Sequence, residues 1–517
     1  MYRIGIDVGG TNTDAIILDE NYHLIHAVKS PTSLDIKTGI ETSLRTLLQE
    51  ANIDKHQITH AMLGTTQCTN AIVERKKLAK VGVIRLGYPA TASVPPYTSW
   101  PEDMIQTLSG QYALVHGGYE YDGQVLGTVD EAEIKALLEE WRGNVESIAV
   151  VGVFSSIKNA QEFQVRDYIH EVYGLAFPVS CSSLIGSVGL IERENATILN
   201  AALCKVIETT TQGFIRALEE EGISEAAVYL CQNDGTLMSV DYAKQFPILT
   251  IACGPTNSIR GASYLAKIKN TMVLDVGGTT SDIGVLQDGF PRESSVAVEV
   301  GDIRTNFRMP DIISVGLGGG SIVRSDDNGK ITVGPDSVGY KIGQEALVFG
   351  GNTLTTTDIA VRLGLADVGD KSLVAHLDDD FAKSVQAEIG SIIEQAIDKM
   401  KTSSGDVELV LVGGGSVVIP DTIRGVSSMI KPENGGVANA IGACIAQISG
   451  QYEQIYIYSR EPREASLQDA QEKAVKQAVL AGADPDTVEL VEVEETPLAY
   501  HPENATRLRV KVVGNMK

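Results

Sequence analysis

Apolar side chains at Ile4, Ile6 and Val8 alternate with other positions almost from the chain start, the period of a half-buried strand. A second apolar run, Ile16-Ile17-Leu18, lies beyond Gly9 and Gly10 and stops at the turn signal Asp19-Glu20-Asn21. The chain therefore opens on a hairpin with a glycine tip. The period then lengthens, and Ile40, Leu44, Leu47 and Leu48 fall on one face of a helix over 36–51. A strand at 60–63 runs into Gly64-Thr65-Thr66-Gln67-Cys68-Thr69-Asn70, with a helix expected from Ile72. Strands at 81–86, 147–154 and 177–180 and a helix at 160–173 give an α/β middle section. One long helix is expected over 188–221, then strands at 226–231 and 247–252 and a helix after Cys253-Gly254-Pro255.

The opening pattern then returns. Residues 271–282 repeat it as an apolar run, Asp275, Val276, Gly277, Gly278, Thr279, Thr280, Ser281 and Asp282, against Asp7, Val8, Gly9, Gly10, Thr11, Asn12, Thr13 and Asp14. Such a long match indicates internal duplication, two halves that each present the same hairpin. Two further glycine clusters, Gly318-Gly319-Gly320 and Gly413-Gly414-Gly415, follow apolar runs, the position where α/β sheets bind ligands. Asp378-Asp379-Asp380 opens a long amphipathic helix and reads as dipole-favourable capping. From about residue 453 a small α/β tail begins, with strands, an Ala-rich helix near 467–481 and no catalytic cluster. The expected division is 1–186 and 187–452 for the two halves and 453–517 for the tail, with packing or assembly as the tail's role.

Composition narrows the picture. The 517 residues suffice for roughly two to four domains. With 43% hydrophobic and 21% charged residues the chain is of ordinary globular type. A formal net charge of −25 argues against nucleic acid and anionic membranes as partners. No apolar stretch is of membrane-spanning length, and no basic start precedes an apolar signal core. The six cysteines form no C-x-x-C pair, as expected of reduced, buried thiols in the cytoplasm.

The hairpin tips carry the candidate chemistry. Glycines let backbone N–H groups approach a phosphate, and Thr11, Thr13, Thr279 and Thr280 add hydroxyls. Asp7 and Asp275 can each hold Mg, directly or through water, or orient a nucleophile. A Walker-type P-loop is absent from the sequence. As general base, Asp14, Asp275, Asp282 and Glu192 are candidates that spacing does not separate. Cys68 and Cys253 are best read as buried thiols, since neither has a His nearby in sequence.

Two Asp-Val-Gly-Gly-Thr hairpins with a Gly-Gly-Gly-Ser turn resemble the actin-like (sugar kinase–chaperone–actin) ATPase fold. The chain is similar more specifically to the hydantoinase/oxoprolinase family, its ATP-binding A-type subunit. The resemblance is carried by DVGGTNTD (7–14), GTTQCTNAIVERK (64–76), IERENATILNA (191–201), CGPTNSIRGA (253–262), DVGGTTSD (275–282), GLGGGSI (316–322), GPDSVG (334–339) and TTTDIAVRLG (356–364). It implies ATP with Mg or Mn, and transfer of the γ-phosphoryl group to the carbonyl oxygen of a cyclic amide, imide or ketone. It further implies Asp7, Gly9, Gly10, Thr11 and Thr13 on phosphate, Asp275, Gly277, Gly278 and Thr279 opposite, and Gly413, Gly414 and Gly415 near the adenosine. Gly318, Gly319 and Gly320 complete the second half. Thr65, Thr66, Asn70, Glu192 and Arg193 would face the cleft near substrate. Asn12 stands where the family usually has Phe, and Thr256-Asn257-Ser258 where it usually has Ala-Gly-Gly. The expected function is an ATP-dependent hydrolase of cyclic amides, oligomeric and possessing a second, B-type subunit. The alternatives are a kinase or carboxylase subunit, or a non-enzymatic ATPase of the same fold.

Overall fold

A computed structural model describes residues 1–31, 36–294, 297–498 and 503–517. Among these, two sheets carry the repeated hairpins. The first has nine strands, in spatial order Glu489–Pro497, Ala505–Gly514, Ile448–Ile457, Leu237–Ser239, Ala227–Cys231, Ile58–Thr65, Tyr2–Val8, Asn12–Asp19 and Leu24–Pro31. The second is built on Thr271–Val276, flanked by Ser281–Gln287 and Val407–Val412. A parallel four-stranded sheet, Val81–Tyr88 with its neighbours, is inserted into the first half. A buried ion pair, Arg85 to Glu194 at 2.6 Å, ties this insert to the helix Leu190–Ala202.

Both hairpin strands bury their alternating residues, and the reason is local. Ile4, Ile6, Val8 and Ile17 are covered by Leu44 and Leu47 of the helix Ile36–Ala51 and by Phe214 of the helix Cys204–Glu220. The opposite face is covered by the helix Ala438–Ile445. It approaches so closely that a Cβ at Gly5 would stand 2.6 Å from the Ala440 carbonyl oxygen. This helix crosses the helix Cys253–Ala266 backbone to backbone. A side chain at Gly261 would collide with the Ala438 carbonyl, and one at Gly442 with that of Asn257. The crossing pair stands between the two sheets and packs on both.

Secondary-structure expectations are corrected at three places. The long helix divides at Leu203 into Leu190–Ala202 and Cys204–Glu220. Residues 247–252 are not a strand: Pro247–Thr250 is a buried 3₁₀ turn, held where Ile248 N donates to Asn200 Oδ1 and Asn233 N to the Leu249 carbonyl. A short apolar run has no period to separate these outcomes. The helix expected from Ile72 begins at Gln67, whose N–H donates to Thr65 Oγ1. The tail does not stand apart, because its three strands extend the first sheet through the Leu237–Ile448 pairing. One sheet therefore crosses the divisions expected at 186 and 452.

Candidate nucleotide cleft

The two hairpins are built alike to the level of single hydrogen bonds. In the first, Asp7 pairs with Asp14, and Gly9 N donates to Asn12 O at 3.0 Å. In the second, Asp275 pairs with Asp282, and Gly277 N donates to Thr280 O at 2.9 Å. Each aspartate also has a glycine on the neighbouring parallel strand or just past its end. Gly64 lies opposite Asp7, and Gly413 follows Val412, the partner of Asp275. A Cβ at either glycine would strike the aspartate Oδ1. The tips meet face to face, with the Thr11 and Thr279 hydroxyls 3.1 Å apart.

Beneath the tips lies a network that the motifs do not contain. Asp7 is 4% exposed; its Oδ1 accepts from Asn257 Nδ2 at 3.1 Å and its Oδ2 from Asn439 Nδ2 at 3.0 Å. The same Asn439 amide donates to Asp14 Oδ2 at 2.8 Å, and Lys29 Nζ pairs with Asp14 Oδ1 at 2.5 Å. Lys29 is brought there by register, opposite Asp14 on the third strand. A side chain at Gly414 would meet the Lys29 ammonium, and the Lys29 charge favours ionised Asp275, so this lysine stands beside the second half. Asn257 and Asn439 stand on the two crossing helices, and the Ser258 hydroxyl favours ionised Asp275. The divergent Asn257-Ser258 pair thus addresses one aspartate in each half.

Burial governs how these carboxyls titrate. It lifts Asp7 to about 6, against the Asn257 and Asn439 donors and with help from the nearby Asp14 and Asp275 charges. Burial raises Asp275 as well, opposed by Ser258 and by Lys29. It takes Asp282 to about 7, opposed by the hydroxyl of Ser314, its cross-strand neighbour. Among the described residues, no group of three or more His, Cys, Asp or Glu is arranged to hold a metal. A magnesium ion that keeps its waters needs only one or two carboxylates beside phosphate oxygens, and Asp7 and Asp275 meet that demand.

The other predicted residues divide by placement. Gly319 N and Gly320 N donate to the carbonyls of Gly277 and Gly278, and Gly415 N to that of Val276. Both glycine clusters are thereby packed against the second hairpin. Thr65 is buried; Thr66 Oγ1 donates to the Val8 carbonyl at 3.3 Å, and Asn70 is exposed beside it. Arg193 does not face a cleft. It is 2% exposed, and its guanidinium donates to Ser182 Oγ and to the Ser187 and Gly152 carbonyls, bracing the insert. Glu192, next to it, lines a separate cavity. Burial pushes both the Cys68 and Cys253 thiols up to about 12, and Cys253 Sγ is spent on the Thr65 carbonyl, so neither is a nucleophile at neutral pH. Lys29, Asn257, Ser258 and Asn439 were missed. The signals were Asn439 as the polar residue of the apolar helix Ala438–Ile445 and the departure of Asn257-Ser258 from the usual Gly-Gly.

Two family models match the chain in succession, the hydantoinase/oxoprolinase N-terminal region over residues 3–173 and hydantoinase/oxoprolinase over 193–373. The chain belongs to the hydantoinase/oxoprolinase family. Among curated relatives, caprolactamase subunit alpha of Pseudomonas jessenii is 27% identical over 71% of this chain and 55% of its own. Acetone carboxylase beta subunit of Xanthobacter autotrophicus is 27% identical over 70% of this chain and 54% of its own. The chain thus spans about half the length of these two relatives. In structure, the ATP-dependent caprolactamase of Pseudomonas jessenii superposes with a TM-score of 0.77 at 18% identity, covering 100% of this chain and 88% of that one. The likeness establishes the actin-like ATPase-related α/β fold of this family member.

Proposed function

We propose that the chain is the ATP-using subunit of an enzyme that activates the carbonyl group of a cyclic amide or imide, hydantoin-like or oxoproline-like, for ring opening. The observation that carries this reading is the face-to-face pair of like hairpins, each with a buried aspartate beside a glycine. Asp7 and Asp275 would hold Mg or Mn, and the bound nucleotide supplies a phosphoryl group that a carbonyl oxygen accepts, leaving its carbon open to water. The chain's own part is positioning and electrostatics. The Thr11 and Thr279 hydroxyls and the glycine tips bind phosphate from both sides. Lys29 pairs with Asp14 and lends positive charge to the space beside Asp275. Asn257 and Asn439 fix the Asp7 carboxylate in place. Asp282, titrating near neutrality, is suited to exchange a proton at physiological pH.

Six unpaired cysteines suit a reducing, cytoplasmic setting. The similarity to proteins named as subunits supports a B-type partner. It also supports a second reading, carbonyl activation on behalf of a carboxylase, because the identity to the acetone carboxylase subunit equals that to caprolactamase. ADP release by the pure protein separates the two, measured against lactams and hydantoins or against ketones with bicarbonate, with and without a partner subunit. Ring-dependent release supports the hydrolase, and ketone-dependent release the carboxylase. Release that neither class stimulates rejects both. Asp7→Ala and Asp275→Ala should each lower turnover by roughly a hundredfold or more, the scale of losing a preorganised electrostatic contact.

A further inference from the structure

A cavity of about 580 Å³ lies away from the hairpin tips, between the 183–188 loop, residues 306–308 and the strands of the tail. Its charges come mainly from one face of the extended sheet. Gln451 and Glu453 alternate along Ile448–Ile457, and Arg507, Arg509 and Lys511 along Ala505–Gly514, with Glu453 directly opposite Arg509. Most of the cations are already matched. Lys511 Nζ sits 3.1 Å from both Asp234 and Glu293, and Arg509 pairs with Glu293, Glu492 and Glu494. Arg308 is committed to Asp234 and Gln232.

Two charges are left poorly served. Glu453 Oε1 is buried without a hydrogen-bond partner among the described residues. Among the described residues, Arg507 has two long contacts, Glu494 at 3.5 Å and Thr496 Oγ1 at 3.4 Å. Arg308 Nε and Arg509 Nε are likewise buried without partners among the described residues. The opposite wall is apolar, with Leu184, Ile185, Val188, Leu249 and Phe307. An unpaired buried carboxylate is costly, and a cation at that point removes the cost.

We infer that this cavity binds a free amino acid, its ammonium group on Glu453, its carboxylate on Arg507 and the neighbouring guanidinium N–H groups, and its carbon chain on the apolar wall. Arg507 and Arg509 lie near enough to favour the charged form of Glu453, but among the described residues neither bonds its buried Oε1, and an ammonium group would supply that bond. A phosphate would face Glu192, Glu293 and Glu494 as well. The volume falls within the range of small-molecule sites. One chain segment links it to the first hairpin's neighbour strand: Leu249 lines the cavity, and Cys253, four residues on, bonds the Thr65 carbonyl. Opening a cyclic amide by hydrolysis joins water across the C–N bond and yields one chain bearing both ammonium and carboxylate. The inference goes beyond the proposed reaction and does not depend on it, because the charges that carry it stand outside the cleft.

Calorimetric titration of the full chain without nucleotide tests it, using straight-chain amino acids of three to six carbons and glutamate. The matching carboxylic acids, amines and lactams serve as controls. At least one amino acid should bind, with the acid or amine alone at least tenfold weaker. Glu453→Gln, which keeps the side-chain shape, and Arg507→Met should each weaken binding at least tenfold and leave ADP affinity unchanged. Should Arg507→Met fail to fold, Leu249→Trp, which fills the cavity, replaces it. The inference is overturned if no amino acid binds, if the acid alone binds equally well, or if the variants bind like the parent. Loss of ADP binding by the parent chain would instead count against the nucleotide cleft.

Discussion

Asp7 and Asp275 are legible because each closes a short pattern that occurs twice. The residues that set their behaviour are not, because hydrogen bonds between helices and strands far apart in sequence leave no local period. Asn439 is the test of this at single-residue scale. Its amide favours ionised Asp7, and ionised Asp7 is what a metal-bound phosphate requires. Turnover should rise with pH through about 6 as Asp7 ionises. In Asn439→Ala the rise should move to higher pH, read from a pH–rate profile; an unmoved limb would separate Asp7 from the titration. The same shifts act on stability with the opposite sense. A carboxyl raised by folding stabilises the folded state at acid pH, and that contribution is lost as pH climbs through the raised value. The melting temperature without nucleotide should therefore fall between about pH 4, where the unfolded carboxyls ionise, and about pH 7, and Asp282→Asn should flatten the upper part of the fall.

At the scale of elements, the decisive feature is the crossing of Cys253–Ala266 with Ala438–Ile445. Glycines at 261 and 442 bring the two backbones into contact, and that closeness delivers Asn257 and Asn439 to Asp7. Gly442→Ala would force a methyl group into the Asn257 carbonyl. It should cost ~1–3 kcal/mol of unfolding free energy, the usual range for overpacking, and weaken nucleotide binding as Asn257 shifts. Equal denaturation midpoints for the two proteins would show that the crossing has slack. Elements away from this crossing were readable from period alone, the helix Ile36–Ala51 and the helix Ala160–Tyr173 at their full extent. The turn Pro247–Thr250 was not, because the Asn200 side-chain amide and the Asn233 backbone N–H, both from other segments, hold it.

At the scale of the molecule, the chain leaves the first sheet after Ser239, builds the second half, and returns at Ile448 to complete the first. The tail's Leu508, Val510 and Ala474 share one core with Ala196, Leu230 and Ala440. A chain ending at Ala446 would uncover that core and the edge strand Leu237–Ser239. It should yield no cooperative melting transition, whereas an independent appendage would leave the transition of the remainder unchanged. No helix among the described residues is long and apolar enough to cross a membrane.

Repetition and period are properties of sequence, so the sequence by itself determined the two hairpins, their aspartates, the glycine turns and the α/β fold class. Neighbourhood in space is not. Tertiary structure alone decided that the Lys29 charge stands beside Asp275 as well as Asp14, that Arg193 braces the insert and that the tail strands finish the first sheet. It also set the titration of Asp7 and Asp282, since burial and the approach of distant charges exist only once the chain has folded.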